Sequence, residues 1–232
     1  MPSKTSTAMQ QAMPSKLRLK LANECESILG RAKLSSMRKE FKFSIIHPKH
    51  ATDRIYTMMM DLFEQLMRGM YERSSWGWNK EEKLAEWKHS RTRIILVTKK
   101  DVCDPMRNVV ENELPDEESG DSIIGFMCFR FEKGADLSET ALYVYELHIR
   151  EDHQRQGLGE ELMRLALALG LEFKMDKVML TVFRFNESAV QFYNKLKFCA
   201  DKCSPAKTEC DYVIMSQRLK KAGGGRGGGG IG

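Results

Sequence analysis

The 232-residue sequence predicts a mixed α/β domain. Three observations carry that expectation. Two strand segments, "SIIGFMCFRFE" and "TALYVYELHIR", flank a short Gly-Ala-Asp turn region. A glycine loop, "QRQGLG", runs straight into a helix with leucine periodicity. A further strand, helix and strand follow before the chain ends in glycine. With 42% hydrophobic and 30% charged residues, the composition is that of a soluble globular protein. No apolar run approaches the roughly 20 residues needed to cross a bilayer, and the N-terminus lacks the apolar core of a secretory signal.

Residues 1–14 are polar, small and aperiodic, and are expected to be disordered. Residues 15–54 read as a basic helical extension, with Leu17, Leu21 and Ile28 marking an amphipathic helix from Ser15 to about Leu34. Ile55, Met59, Leu62, Phe63, Leu66 and Met70 recur at spacings of three and four, which predicts a helix from about Thr52 to Arg73. "RIILV" at 93–97 is a strand, followed by a polar connection of about two dozen residues, long for a compact domain. After the glycine loop, Leu158, Leu162, Leu165, Ala166, Leu169 and Phe173 define one helix face. "KVMLTVF" at 177–183 is a buried strand, Asn186 caps a helix carrying Ala189, Phe192, Tyr193 and Leu196, and a last strand lies near "CDYVIMSQ". Residues 219–232 form a flexible tail, with eight glycines among 223–232.

The formal charge of +5 is unevenly distributed. Residues 1–54 hold eleven Lys/Arg and four Asp/Glu, a net of +7, so the rest of the chain is slightly acidic. Two readings of the basic arm stand: a solvated helix, or a contact with RNA, the ribosome or an acidic partner. The segment from Glu111 to Asp121 carries six acids and no bases, and reads as an exposed loop that would attract a basic substrate. The six cysteines lack paired spacing, which favours free thiols in a reducing compartment over disulfides. A zinc site of Cys199, Cys203 and Cys210 is the lesser alternative, because it has no CxxC pair.

Two glycines one residue apart at a helix start suggest an anion held on backbone N–H groups. A triphosphate loop needs GxxxxGK followed by Ser or Thr, and no such string occurs. A dinucleotide fingerprint needs a third glycine, where this chain has Leu162. What remains is a pyrophosphate cradle without metal or lysine, or an ordinary strand–helix turn.

"QRQGLG" after "YELHI" matches the Q/R-x-x-G-x-G/A acetyl-coenzyme A loop of the GNAT acyltransferases. "NESAVQFYNKLKF" resembles that family's N-x-x-A-x-x-F-Y-x-x-x-G-F helix, with Lys197 where glycine is usual. The resemblance covers roughly residues 55–218 and implies a single GNAT-type domain with a mixed central sheet flanked by helices. "MYERSSWGW", "ALYVYEL", "KVMLTVF" and "CDYVIM" further resemble the N-alpha-acetyltransferase D type, which acetylates the N-terminal serine of histones 4 and 2A. That resemblance implies acetyl-CoA as co-substrate, no metal, histone tails as partners, a monomer without membrane attachment, and a location in cytoplasm and nucleus.

Glu146 is the candidate base, since a carboxylate between Tyr145 and Leu147 in an apolar strand is costly to bury without a task or a partner. A surface glutamate on an edge strand is the competing reading. Simple alternation separates Tyr143 and Tyr145 from Glu146 and His148. The family's bulge in this strand would break that parity. The resemblance places the backbone of Leu147, His148 and Ile149 along the pantetheine. It assigns the cofactor loop to Gln154, Arg155, Gln156, Gly157, Leu158 and Gly159. Asn186 either contacts the cofactor or only caps its helix. The resemblance makes Tyr193 and Tyr212 rival proton donors to the leaving thiolate, with core packing as the bland reading of Tyr193. Tyr71, Trp76, Tyr143 and Tyr145 would wall a slot for a small N-terminus, with Trp78 in the core. Glu132 would pair with the substrate arginine; Asp136 and Glu139 are weaker candidates for a second acidic contact.

Two rival functions remain: an acetyltransferase for lysines or polyamines, and an inactive coenzyme A-binding module that recognises histone tails. "GGGRGGGG" imitates a histone tail, but near a C-terminus it carries no α-amine.

Overall fold

The computed structural model describes residues 14–24, 40–99, 109–111, 123–134 and 139–219. Residues 1–13, most of the acidic loop, Asp136 and all of the tail but Leu219 lie outside them, as does the expected helix beyond Glu24.

In chain order the elements are α1 (Ser15–Glu24), β1 (Phe41–Ile46), α2 (Asp53–Arg73), α3 (Lys80–Trp87), β2 (Arg93–Lys99), β3 (Val109–Glu111), β4 (Gly125–Lys133), β5 (Thr140–Ile149), α4 (Leu158–Glu172), β6 (Lys177–Phe183), α5 (Glu187–Lys195), β7 (Cys199–Ala200) and β8 (Tyr212–Arg218). The strands form one mixed sheet in the order β3-β1-β2-β4-β5-β6-β8-β7. The β1–β3 and β5–β6 pairs are parallel and the others antiparallel.

Each sheet face carries its own core. Leu158, Leu162, Leu165, Ala166 and Leu169 of α4 pack with Phe129, Phe131, Leu142, Val144 and Leu180, and Ala22 of α1 and Tyr193 of α5 join that side. Ile55, Met59, Leu62 and Phe63 of α2 and Trp87 of α3 cover Ile94, Leu96, Phe126 and Cys128 on the other. A 3.6-residue apolar period on α2 and α4 and an apolar register on both strand faces produce this arrangement.

Helix α2 begins at Asp53 with Thr52 as its cap: the Thr52 hydroxyl oxygen accepts from the Ile55 N–H at 3.4 Å. Three features correct or extend the expected elements. The basic extension is not helical throughout, because Phe41–Ile46 is a strand paired with Ile94–Lys99 of β2. The boundary at residue 54 therefore falls inside the sheet domain. Phe41, Phe43 and Ile45 are buried on one face and Ile46 on the other, a short apolar run hidden in a lysine-rich context. Second, α1 is not a free arm. Arg18 pairs with Asp176 at 3.1 Å and Asn23 donates to the Phe131 carbonyl at 3.2 Å, which ties the helix to the domain. Third, the charged segment "KEEKLAEW" forms α3, capped by Asn79 accepting from the Glu82 N–H at 3.1 Å and anchored by buried Trp87. Lys197 takes the left-handed conformation (φ 68°) after α5, where glycine is usual.

Candidate active site

The site follows from how two central strands part. β5 and β6 pair only over Ala141–Val144 with Lys177–Leu180. Beyond that, β5 continues beside β4, and β6 beside β8. The gap between them opens into a cleft of about 980 Å³ lined by β5, β6, α2, α3, the loop before α4, and α5.

Within β5, Cys128 lies opposite Glu146 and Phe129 opposite Val144, so Tyr145 is the unpaired residue of a bulge. Tyr143, Tyr145 and Glu146 thereby all line the cleft. Glu146 is buried, 5% exposed, which removes the surface reading. One carboxylate oxygen meets Lys83 Nζ at 2.8 Å and the other His148 Nε2 at 2.6 Å. Burial pushes the Glu146 carboxyl up, but Lys83 and His148 outweigh it and hold the group below the usual carboxylate range. Glu86 also touches Lys83, at 3.3 Å, and its own carboxyl is pushed up by burial. The Lys83 ammonium, held charged by Glu146 against its own desolvation, sits over the Phe63 and Tyr71 rings at 5.5 and 5.2 Å.

Aromatic side chains wall one end of the cleft. Tyr71 and Trp76 line the cleft, and Trp76 packs against Phe183 and Tyr212 with centroids 5.2 and 5.1 Å away. Trp78 is in the second core, stacked on Phe63 at 5.6 Å, as expected. Tyr143 and Tyr145 pack at 5.0 Å. The Tyr143 hydroxyl bonds Thr181, and the Tyr145 hydroxyl donates to Glu132 at 2.9 Å. Glu132 thus stands behind Tyr145 rather than in the cleft wall. Glu139 is turned elsewhere, paired with Lys177 and Arg218 at 3.1 and 2.6 Å.

At the other end, Gly157 caps α4 with φ 90°, a conformation that L side chains resist. A Cβ on Gly159 would stand 3.3 Å from Phe192 of α5, so the second glycine admits α5 as well as a ligand. The first intrahelical bond runs from the Glu161 N–H to the Gly157 carbonyl, which leaves the preceding N–H groups without a helical acceptor. Gln154, Arg155, Gly157, Leu158 and Gly159 line the cleft, with Leu147, Ile149 and Asn186. Gln154 also donates to the Ile149 carbonyl at 2.8 Å.

The family comparison agrees with this geometry. Residues 60–198, more than half of the chain, match the model of the "Acetyltransferase (GNAT) family". The chain belongs to the GNAT acetyltransferase family. Among solved structures, PH1933 from Pyrococcus horikoshii OT3 is 18% identical, with a TM-score of 0.52 over 77% of this chain and 99% of that one. Arabidopsis thaliana NAA60 with a bisubstrate analogue is 15% identical over 77% and 97%, with a TM-score of 0.49. Ard1 from Thermoplasma volcanium is 16% identical over 77% and 99%, with a TM-score of 0.48. At these identities the likeness is one of fold.

GNAT membership brings acetyl-CoA as co-substrate, and the residues present fit it. A left-handed glycine, a second glycine, uncapped N–H groups and the Arg155 guanidinium at one end suit a pyrophosphate without metal. Among the described residues no cluster of three His, Cys, Asp or Glu is placed to hold a metal, and Cys199, Cys203 and Cys210 are free.

Three expected site residues have further partners in the fold. His148 lines the cleft, as its expected backbone contact requires, while its ring turns to Glu146 and packs on Phe63 and Phe126, both at 5.1 Å. Gln156 lies outside the cleft wall and donates to the Asp152 carbonyl at 3.0 Å, closing its own loop. Tyr212 is likewise outside the wall, behind Trp76, whereas Tyr193 lines the cleft. Tyr193 is also packed between Phe192 and Phe198, so it is at once part of the cleft wall and of the core. Asn186 likewise does both: it lines the cleft, and its side-chain oxygen accepts from the Ala189 N–H at 3.2 Å. The sequence reading missed Lys83 and Glu86. Their only sequence signal was an i,i+3 charge pair, indistinguishable from a solvated helix face.

Proposed function

We propose that this protein acetylates the N-terminal α-amine of peptides beginning Ser-Gly-Arg-Gly, the tails of histones 4 and 2A among them, by direct attack in a ternary complex. The observation that carries the reading is the bulge at Tyr145. It sets Glu146 in the same cleft as the Tyr143 and Tyr145 rings, a buried carboxylate beside an aromatic wall.

Bound acetyl-CoA supplies an activated thioester. Glu146, ionised at working pH, accepts a hydrogen bond from the amine and takes the proton that becomes acidic as the N–C bond forms. A peptide α-amine has a pKa near 7.7–8.0 against about 10.4 for lysine, so neutralising it costs about 3.5 kcal/mol less. A base of low affinity for protons therefore suits an α-amine and not a lysine. Tyr193, whose hydroxyl burial and the nearby Glu146 push up, retains a proton for the leaving thiolate. Glu132, held by Tyr145, supplies negative charge toward the third substrate residue.

The basic segment around α1 and β1 retains RNA or ribosome contact as a further proposal, and histone substrates place the enzyme in cytoplasm and nucleus. A lysine or polyamine acceptor and an inactive binding module are the alternatives. The test supplies acetyl-CoA with a Ser-Gly-Arg-Gly-Lys peptide and with the same peptide blocked at its N-terminus. Transfer to the free peptide alone supports the proposal. Equal transfer to both makes lysine the acceptor, and no transfer to either leaves a polyamine acceptor or a binding module.

A further inference from the structure

Glu146 is faced from every side. His148 reaches it from its own strand, Lys83 and Glu86 from α3, Tyr71 from α2, the buried Cys128 thiol from β4, and Tyr193 from α5. Only Lys83 among these brings a fixed positive charge, and it does so at 2.8 Å with 11% of its side chain exposed. A buried carboxylate without such a partner is the group to which a cationic substrate would bind. Here that capacity is already filled, and both carboxylate oxygens have a partner.

We propose that Lys83 is a positioning and specificity residue: its ammonium fills the cation-binding capacity of Glu146, so the acceptor enters the site as a neutral amine. The inference rests on the acetyl-transfer reading of the site and adds to it a rule of acceptor selection. An α-amine meets the rule readily near neutral pH, whereas a lysine ammonium does not. Lys83 itself is excluded as an acceptor, since Glu146 holds it protonated.

Two measurements test this, the first needing no substrate. The Glu146 carboxyl carbon is titrated by NMR in glutamate-labelled protein, with E146Q assigning the signal. In wild type its midpoint lies below that of an ordinary glutamate. In K83M and in K83Q, which keeps a hydrogen-bond donor without the charge, the midpoint rises by at least one pH unit. K83R retains the wild-type titration. An unchanged midpoint in K83M or K83Q overturns the proposal, whatever the substrate is.

The second measurement is the pH dependence of KM for the Ser-Gly-Arg-Gly-Lys peptide. In wild type KM rises about tenfold per pH unit below the amine pKa, because only the neutral form binds. In K83M that slope flattens, since the unpaired carboxylate accepts ammonium. A raised midpoint with the wild-type slope retained overturns the specificity rule. Absence of turnover in wild type rejects the substrate assignment, while the carboxyl titration still decides the role of Lys83.

Discussion

Tyr145 and Glu146 are neighbours in a β-strand, yet both line one cleft, because Tyr145 has no partner on β4. In an unbroken strand the two side chains would point to opposite faces. The bulge takes Glu146 and His148 to the side of the sheet covered by α2 and α3, while Val144 and Leu147 remain against the other core.

The ion pair below that bulge predicts both rate and stability. E146Q should lower kcat by about 10²–10⁴-fold through loss of the proton acceptor. It should also destabilise the fold by about 3 kcal/mol, because Lys83 is left as a buried charge with its principal partner gone. Glu146 is depressed in the folded state, so its contribution is fully present above the unfolded carboxyl pKa of about 4.3. It is lost as pH falls through the lower folded value. Urea titrations from pH 7 to pH 3 should show the two proteins converging only in the acid range; a constant gap would remove the pair as its source.

Tyr193→Phe and Tyr212→Phe separate the two proton-donor candidates. Tyr193 lines the cleft and Tyr212 stands behind Trp76. Loss of the Tyr193 hydroxyl should lower kcat by roughly 10²-fold at unchanged KM for acetyl-CoA. The Tyr212 variant should stay within about threefold of wild-type kcat. Steady-state kinetics showing the reverse order would exchange the roles.

Acceptor selectivity should depend on Glu132, which Tyr145 holds at 2.9 Å. Glu132→Gln should raise KM for a Ser-Gly-Arg-Gly peptide several-fold, since Glu132 acts as a charge behind Tyr145 and not as a hydrogen-bond partner in the cleft wall. A peptide with alanine in place of the arginine should show little change. Equal losses on both peptides would assign Glu132 to holding Tyr145 alone.

The donor loop predicts a split between binding and folding. Gly157→Ala meets a left-handed backbone and should cost about 1 kcal/mol of stability. Gly159→Val would drive side-chain atoms toward Phe192, which a Cβ alone approaches to 3.3 Å. Calorimetric titration with coenzyme A should show at least a tenfold weaker Kd for the valine variant. Unchanged affinity would mean that the glycine serves only the packing of α5.

Local chemistry made the order of elements, the glycine loop and the α5 cap readable in the sequence. A capping side chain, a glycine spacing and a 3.6-residue apolar period act over a few residues, so they are written there directly. The β1 strand and helix α3 were not readable, because a short apolar run among lysines and a short charged segment both take their structure from the partners they meet: Phe43 from the sheet, Trp87 from Phe63 and Phe126. Glu146 was legible as an anomaly, a carboxylate in an apolar strand. Its burial, its ion pair with a lysine 63 positions earlier, and the places of Tyr193 in the cleft wall and Tyr212 behind Trp76 were decided by tertiary structure. The reason is physical: a charge in the interior takes its properties from whichever groups surround it, and those groups come from five separate elements of the fold.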